Sequence, residues 1–190
     1  MISDTFLKNT KDKPPSKLLV EALPFVSYTT GRALDLGCGA FKDSVFLLEN
    51  GFIVDAVDNA ENVAAMVSQQ DGLTFYQQSF SEFTFNEGRY DLVNAQFSLP
   101  FTSPDTFTEV WDKMVSSLPS GGVFVGQFFG PEDEFSDRPE MTFLDRQEVE
   151  NLCASFTVRT FVESKRTGKT ATGHDKFWHI FDVIGVKARK

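Results

Sequence analysis

From residue 32 onward, short apolar runs bounded by glycine-containing turns alternate with segments whose apolar positions recur every three or four residues. That alternation predicts βα units and a mainly parallel sheet. Residues 32–36 read as a first strand between Thr30-Gly31 and Gly37-Cys38-Gly39, followed by a helix over about 42–50 that stops at Gly51, a C-terminal cap. A second strand covers 53–58. The next helix places Ala60, Val63, Ala64 and Val67 on one face, and a third strand covers 73–78. A fourth strand at 90–96 leads to a helix with Ser103 at its N-cap, Pro104 in its first turn and the stripe Phe107, Val110, Trp111, Met114 and Leu118. Pro119 ends it, and a fifth strand spans 122–129.

Asp145 and Glu148 have capping-box spacing and open a helix whose apolar face is Val149, Leu152, Cys153 and Phe156. The last two strands, 158–164 and 177–186, are joined by the polar stretch 165–176, which has no room for a crossover helix, so they pair as an antiparallel hairpin. The expected architecture is α/β: seven strands in a mixed sheet, mainly parallel with a C-terminal antiparallel hairpin, and helices on both faces. Residues 1–30 read as a polar arm with a short helix over 16–23, and 31–190 as a single domain. The acidic stretch from Glu132 to Glu140 breaks the alternation and reads as a long loop at the C-terminal end of the fifth strand.

Composition narrows the function classes. With 18 Lys+Arg against 27 Asp+Glu, the chain carries a formal charge of −9 over its 190 residues. That balance disfavours nucleic acid as a partner, since such binding draws on neutralised phosphates. No apolar run approaches the roughly 18–20 residues of a membrane helix, so no membrane partner is expected. Cys38 and Cys153 lie far apart behind an opening unlike a signal peptide, which predicts a reduced, cytoplasmic protein. The 21 Phe against 3 Tyr and 2 Trp point to a core that uses Phe where others use Leu.

Candidate chemistry concentrates in the segment 33–43, ALDLGCGAFKD. Open α/β sheets bind ligands at the C-terminal ends of their strands. Gly37 and Gly39 at such a turn let the backbone approach a ligand closely. Asp58, at the end of the second strand, stands where a carboxylate can accept hydrogen bonds from two ribose hydroxyls. The dinucleotide fingerprint would need glycine where the chain has Lys42, which disfavours a nicotinamide cofactor. Asp35, inside the first strand, needs a buried partner, and an amino group suits it. An amine near Asp35 and a ribose near Asp58 describe S-adenosylmethionine better than NAD.

ALDLGCG, VDAVDNA, YDLVNAQFSLPF and LPSGGVFVGQFFG together resemble the motifs of the class I S-adenosylmethionine-dependent methyltransferases, over about 32–187. Within that class, FGPEDEF, MTF and the ending HDKFWHIFDVIGVKARK are most similar to small stand-alone bacterial enzymes related to the tellurite-resistance methyltransferases. The resemblance implies a Rossmann-like sheet and S-adenosylmethionine as cofactor. It places Asp35 near the methionine amino group, Gly37, Cys38 and Gly39 along the methionine and ribose, Asp58 on the ribose hydroxyls, and Asn59 beside the adenine. It places Ser79 and Phe80 at the adenine edge, and Asn94, Ala95 and Gln96 beside the reacting methyl. Two positions depart from the family pattern: Ser79 stands where an acidic residue is common, and Phe41 where the turn's last glycine is common. Packing of Phe41 beneath the following helix, next to Val45 and Phe46, is the expected accommodation.

Methyl transfer from a sulfonium is an in-line displacement that needs positioning and exclusion of water rather than a covalent nucleophile. No catalytic residue is therefore assigned. His179 alternates with Phe177, Phe181 and Val183 and reads as a hydrogen-bonded core histidine, whereas His174 lies in a polar loop. Neither has companions at metal-ligand spacing, so no metal is expected. The acidic stretch reads as a solvated loop or a lid over the acceptor, with Phe128, Phe129 and Phe135 beside it. The segment around Pro15, Ser16 and Lys17 is a second candidate cover for the cofactor. The expected function is methyl transfer to a small-molecule acceptor by a monomer or homodimer. The alternative is a non-catalytic nucleoside-binding or interaction protein on the same fold.

Overall fold

A computed structural model describes residues 3–189. Seven strands form one sheet in the order β3-β2-β1-β4-β5-β7-β6. β1 (Arg32–Leu36), β2 (Ile53–Asp58), β3 (Leu73–Gln77), β4 (Leu92–Ala95) and β5 (Val123–Phe129) run parallel, while β7 (Asp175–Lys187) pairs antiparallel with both β5 and β6 (Phe156–Lys169). Strand order therefore reverses between β1 and β4, the place where open α/β sheets bind ligands.

Alternation along the strands sends side chains to two cores. On one face Leu34, Leu36, Val93, Phe124 and Phe128 pack against α5 (Pro104–Ser116) and α6 (Arg146–Leu152). The α5 stripe of Phe107, Val110, Trp111 and Met114 is buried, and the Trp111 indole meets Phe124 and Phe128 edge-on at 5.1 and 5.4 Å. Ser103 occupies the α5 N-cap without capping it through its side chain, whereas the Asp145–Glu148 capping box forms in full. On the other face Ala33, Val54, Ala56 and Val125 pack against α2 (Lys17–Ala22) and α3 (Lys42–Glu49).

Three elements differ from the sequence expectation. The polar arm contains a helix, α1 (Asp4–Thr10), which is capped by the Ser3 hydroxyl accepting from the Phe6 amide. The helix expected over Ala60 to Val67 shrinks to the single turn α4 (Glu61–Ala64); beyond it the amides of Met66 and Val67 reach back only three residues, and Val67 is exposed. The stretch 165–176, expected as a loop, is mostly ladder: β6 and β7 stay paired out to Lys169 and Asp175, with only the five residues between them turning. Residues 175–179 have no β5 partner, so the hairpin projects past the C-terminal edge of the sheet.

At the opposite edge one carboxylate fixes the entry into β1. Asp91, fully buried, accepts from the backbone amides of Thr29, Thr30 and Gly31 at 2.9, 2.8 and 2.7 Å through a single oxygen. Asp91→Ala leaves three inward-facing donors unmet and is expected to lower stability by about 3 kcal/mol. Urea denaturation read by circular dichroism should show a lower midpoint with an unchanged m-value.

Candidate cofactor and acceptor site

The turn after β1 is tied to the end of β2. The Gly37 and Cys38 amides donate to the Val57 carbonyl at 2.8 and 3.2 Å, and the Asp58 carboxylate accepts from the Gly39 amide at 3.1 Å and the Ala60 amide at 3.0 Å. The Asn59 amide also bonds to this carboxylate, so three backbone donors fix it at the end of β2. Burial pushes the Asp58 carboxyl up, opposed by the amides of Ala60, Gly39 and Asn59. Gly37 has φ +75°, and a Cβ there would stand 2.3 Å from Cβ of Ser98; the Phe80 ring comes next, 3.6 Å away. Ser98 in turn donates to the Leu36 carbonyl at 2.6 Å, which clamps the β4 turn onto the β1 turn.

Asp35 is buried at the α3 side of β1. It accepts from the Ser44 hydroxyl at 2.5 Å and from Nδ2 of Asn94 at 2.8 Å. Burial, reinforced by the nearby Asp43 carboxylate, pushes its carboxyl up to about 7. The chain of bonds continues sideways: Nε2 of Gln96 donates to Oδ1 of Asn94 at 2.8 Å, and Nε2 of Gln127 donates to Gln96 and to Asp182, both at 3.0 Å. Oε1 of Gln127 accepts the Phe97 amide at 3.0 Å. Phe97 holds φ +51°, a left-handed conformation that costs a non-glycine residue about 1–2 kcal/mol, and the residue is 42% exposed.

The eleven residues singled out in the sequence fall into linked groups. Asp35, Asn94 and Gln96 share one hydrogen-bonded chain; Gly39 and Asp58 touch; Gly37 and Phe80 are neighbours. Ala95 is buried in β4, and Cys38 is buried in the turn, where burial and the Asp35 and Asp58 carboxylates push its thiol well up. Asn59 is exposed next to Asp58. Ser79 is engaged locally, its hydroxyl donating to Glu82 at 2.6 Å. Phe41 takes up the backbone its glycine counterpart would: φ is +62°, and the ring is buried edge-on against Phe75 at 5.4 Å.

Sequence reading missed Ser44, Ser98, Gln127 and Asp182, which complete these contacts. Gln127 inside VFVGQFF and Asp182 inside IFDVIGV were the visible signals, polar residues in otherwise apolar strands. The acidic stretch is neither free nor wholly solvated. Asp133 is buried in an ion pair with the equally buried Lys176, Glu132 pairs with Lys165, and Glu134 accepts the Phe177 amide, so the loop is stitched to the hairpin. Phe128 and Phe129 point to opposite sides, Phe128 into the α5 core and Phe129 toward Met141 and Ile180.

The N-terminal segment reaches the turn at two places. Ser16 binds Asp43 through its amide and hydroxyl, both at 2.7 Å, and Phe6 of α1 lies 3.6 Å from where a Gly39 Cβ would be. α1 is held at both ends: Asn62 donates to Asp4, and Asn9 donates to the Ala171 carbonyl at the hairpin turn, each at 2.9 Å. His179 is buried, with Nδ1 accepting the Glu132 amide and Nε2 3.0 Å from Glu163, as expected of a core histidine. His174 is exposed. Among the described residues no group of three His, Cys, Asp or Glu is placed to hold a metal ion, and no helix is long and apolar enough to cross a membrane.

Residues 33–122 match the family described as a methyltransferase domain. The carboxy-S-adenosyl-L-methionine synthase of Campylobacter lari is 25% identical over 116 residues, which cover 57% of this chain and 49% of the synthase. TehB from Haemophilus influenzae superposes with a TM-score of 0.76 at 16% identity, over 96% of this chain and 65% of TehB. The N-methyltransferase NodS from Bradyrhizobium japonicum WM9, solved in complex with S-adenosyl-L-homocysteine, superposes with a TM-score of 0.64 at 18% identity, over 95% and 99%. The chain thus spans about half the length of the synthase. The domain match falls on the glycine turn and the first four strands, and the seven-stranded order completed by the reversed hairpin gives the chain the fold of TehB and NodS, around a segment that matches a methyltransferase domain.

Proposed function

We propose that the chain binds S-adenosylmethionine across the β1 and β2 ends and transfers its methyl group to a small acceptor held beside β4 and the hairpin. The observation that carries the cofactor reading is the pair of buried carboxylates, Asp35 and Asp58, flanking a turn whose glycines hold positive φ. When bound, the cofactor supplies an electrophilic methyl on a sulfonium sulfur. In this reading Asp58, aligned by the Gly39 and Ala60 amides, receives the ribose hydroxyls, and the Asp35 carboxylate faces the amine. Gly37, Cys38 and Gly39 run along the methionine and ribose, Asn59, Ser79 and Phe80 lie around the adenine, and Asn94, Ala95 and Gln96 stand nearest the methyl.

Ser79 spends its hydroxyl on Glu82, so the adenine edge is held by Phe80 more than by a polar contact at that position. The small size of the acceptor is supported by the modest pocket of about 340 Å³ between the β4 turn and the hairpin. A net charge of −9 supports an acceptor other than nucleic acid, in the cytoplasm. Residues 31–190 carry the whole site in this reading, with 1–30 as its cover.

Calorimetric titration of the full chain with S-adenosylmethionine tests the proposal: saturable binding is expected, and its absence would overturn it in favour of an interaction protein. Asp58→Ala should weaken binding by about 100-fold, the worth of two hydrogen bonds to a charged group. An unaltered dissociation constant would remove Asp58 from the site.

The Asp35 carboxyl, raised from an ordinary 3.8 to about 7, gives a pH signature. Between those values the folded chain binds more protons than the unfolded one, so the ligand-free protein loses stability as pH rises through that window. Cofactor binding runs the other way: a cation beside Asp35 favours the carboxylate, so affinity should climb between about pH 6 and 8 with release of a proton. Titrations in buffers of differing ionisation enthalpy should show that proton, and Asp35→Asn should abolish both the release and the slope.

A further inference from the structure

Past the sheet edge, the projecting hairpin and the β4 turn flank an open pocket of about 340 Å³. Phe97, Trp178, Ile180, Arg166 and Lys169 are among the residues that line it. In the β6–β7 register Arg166 stands opposite Trp178, and Ser164 opposite Ile180, so the four project from one face of the hairpin. The Phe97 and Trp178 rings meet edge-on at 5.9 Å, and Phe129 backs them both at 6.3 and 5.7 Å.

Two features are hard to explain as packing. The Phe97 ring is exposed although its backbone is held in a left-handed conformation by Gln127, the residue that also binds Gln96. Strained backbone that holds a partly exposed apolar ring, unlike the buried Phe41 ring, is the kind of outlier that clusters at ligand sites. The second feature is charge. Lys165, Lys169 and Lys176 are each paired with a carboxylate, whereas Arg166, in a strongly acidic protein, has no ion pair and no side-chain hydrogen bond among the described residues. Its guanidinium presents a planar fork of donors that matches a carboxylate.

The geometry points to a methyl acceptor that is a planar, aromatic carboxylate, its ring against Phe97 and Trp178 and its acid on Arg166. This assignment rests on the methyl-transfer reading, because it takes the cavity beside Gln96 as the acceptor half of that site. Lys176 has a positioning role: buried and paired with Asp133, it lies 3.7 Å from the Trp178 ring centre, 4.2 Å from that of Phe135 and 5.0 Å from that of Phe129, which fixes the tryptophan in place.

The probes are benzoate and benzamide, titrated calorimetrically into the full chain with and without S-adenosylhomocysteine. Benzoate is expected to bind at least about tenfold more tightly than benzamide, the worth of one charge-assisted hydrogen bond. Arg166 is exposed, so Arg166→Gln keeps the fold; it should abolish the preference, and Arg166→Lys should restore part of it. Phe97→Leu should weaken both probes alike. Equal affinity for the two probes, no saturable binding of benzoate in the millimolar range, or an undiminished preference in Arg166→Gln would overturn the assignment. Failure of S-adenosylhomocysteine to bind would instead overturn the methyl-transfer reading, while the acid-over-amide preference of the ligand-free chain would still decide the subsite.

Discussion

A polar side chain taken out of water must find a partner, and this requirement sets the geometry of the ligand-facing edge. Ser44, Asp35, Asn94, Gln96, Gln127 and Asp182 bond in sequence across β1, β4, β5 and β7. Apolar packing alone would let these strands slide a little against one another at small cost. A chain of directional bonds admits one arrangement, because breaking any link strands a donor or acceptor among apolar neighbours. The same chain ends on the Phe97 amide, so the position of an exposed ring follows from the register of four buried strands.

The close pass of Gly37 against Ser98 completes that constraint. No other residue type fits at Gly37, since even a methyl group would overlap the Ser98 side chain. The two turns on either side of the topological switch are thereby pressed together, and Asp58 ties the β2 end to the same turn. The glycine turn is built from short backbone contacts, whereas the pocket at the hairpin is lined by aromatic side chains on a projecting ribbon, so the two tolerate change very differently.

Most strand bounds were legible because strand burial is written as apolar runs between turns, and β1 and β2 emerge at the residues expected. The polar elements were not. α1 has too few apolar positions to show a stripe, and its helix is supported by a cap and by contacts to residues 62 and 171, which no local pattern reveals. The outer hairpin reads as loop because both its faces carry polar residues; its ladder is held by backbone pairing and by the buried Lys176–Asp133 pair. The opposite error, a helix drawn out to Val67, came from spacing that continues after tertiary burial has stopped. At the site, the glycines and carboxylates were visible because their chemistry is local. Ser44, Gln127 and Asp182 gain meaning only from partners nine to 55 residues away.

The hydrogen bond from Asn9 to Ala171 joins residues 162 apart, near opposite ends of the chain. It ties the first described helix to the tip of the last hairpin, while Leu7 of the same helix is buried in the core on the α3 side of the sheet. An exposed hydrogen bond of this kind is worth about 1 kcal/mol, so the hairpin tip can part from α1 while Leu7 keeps the helix on the sheet.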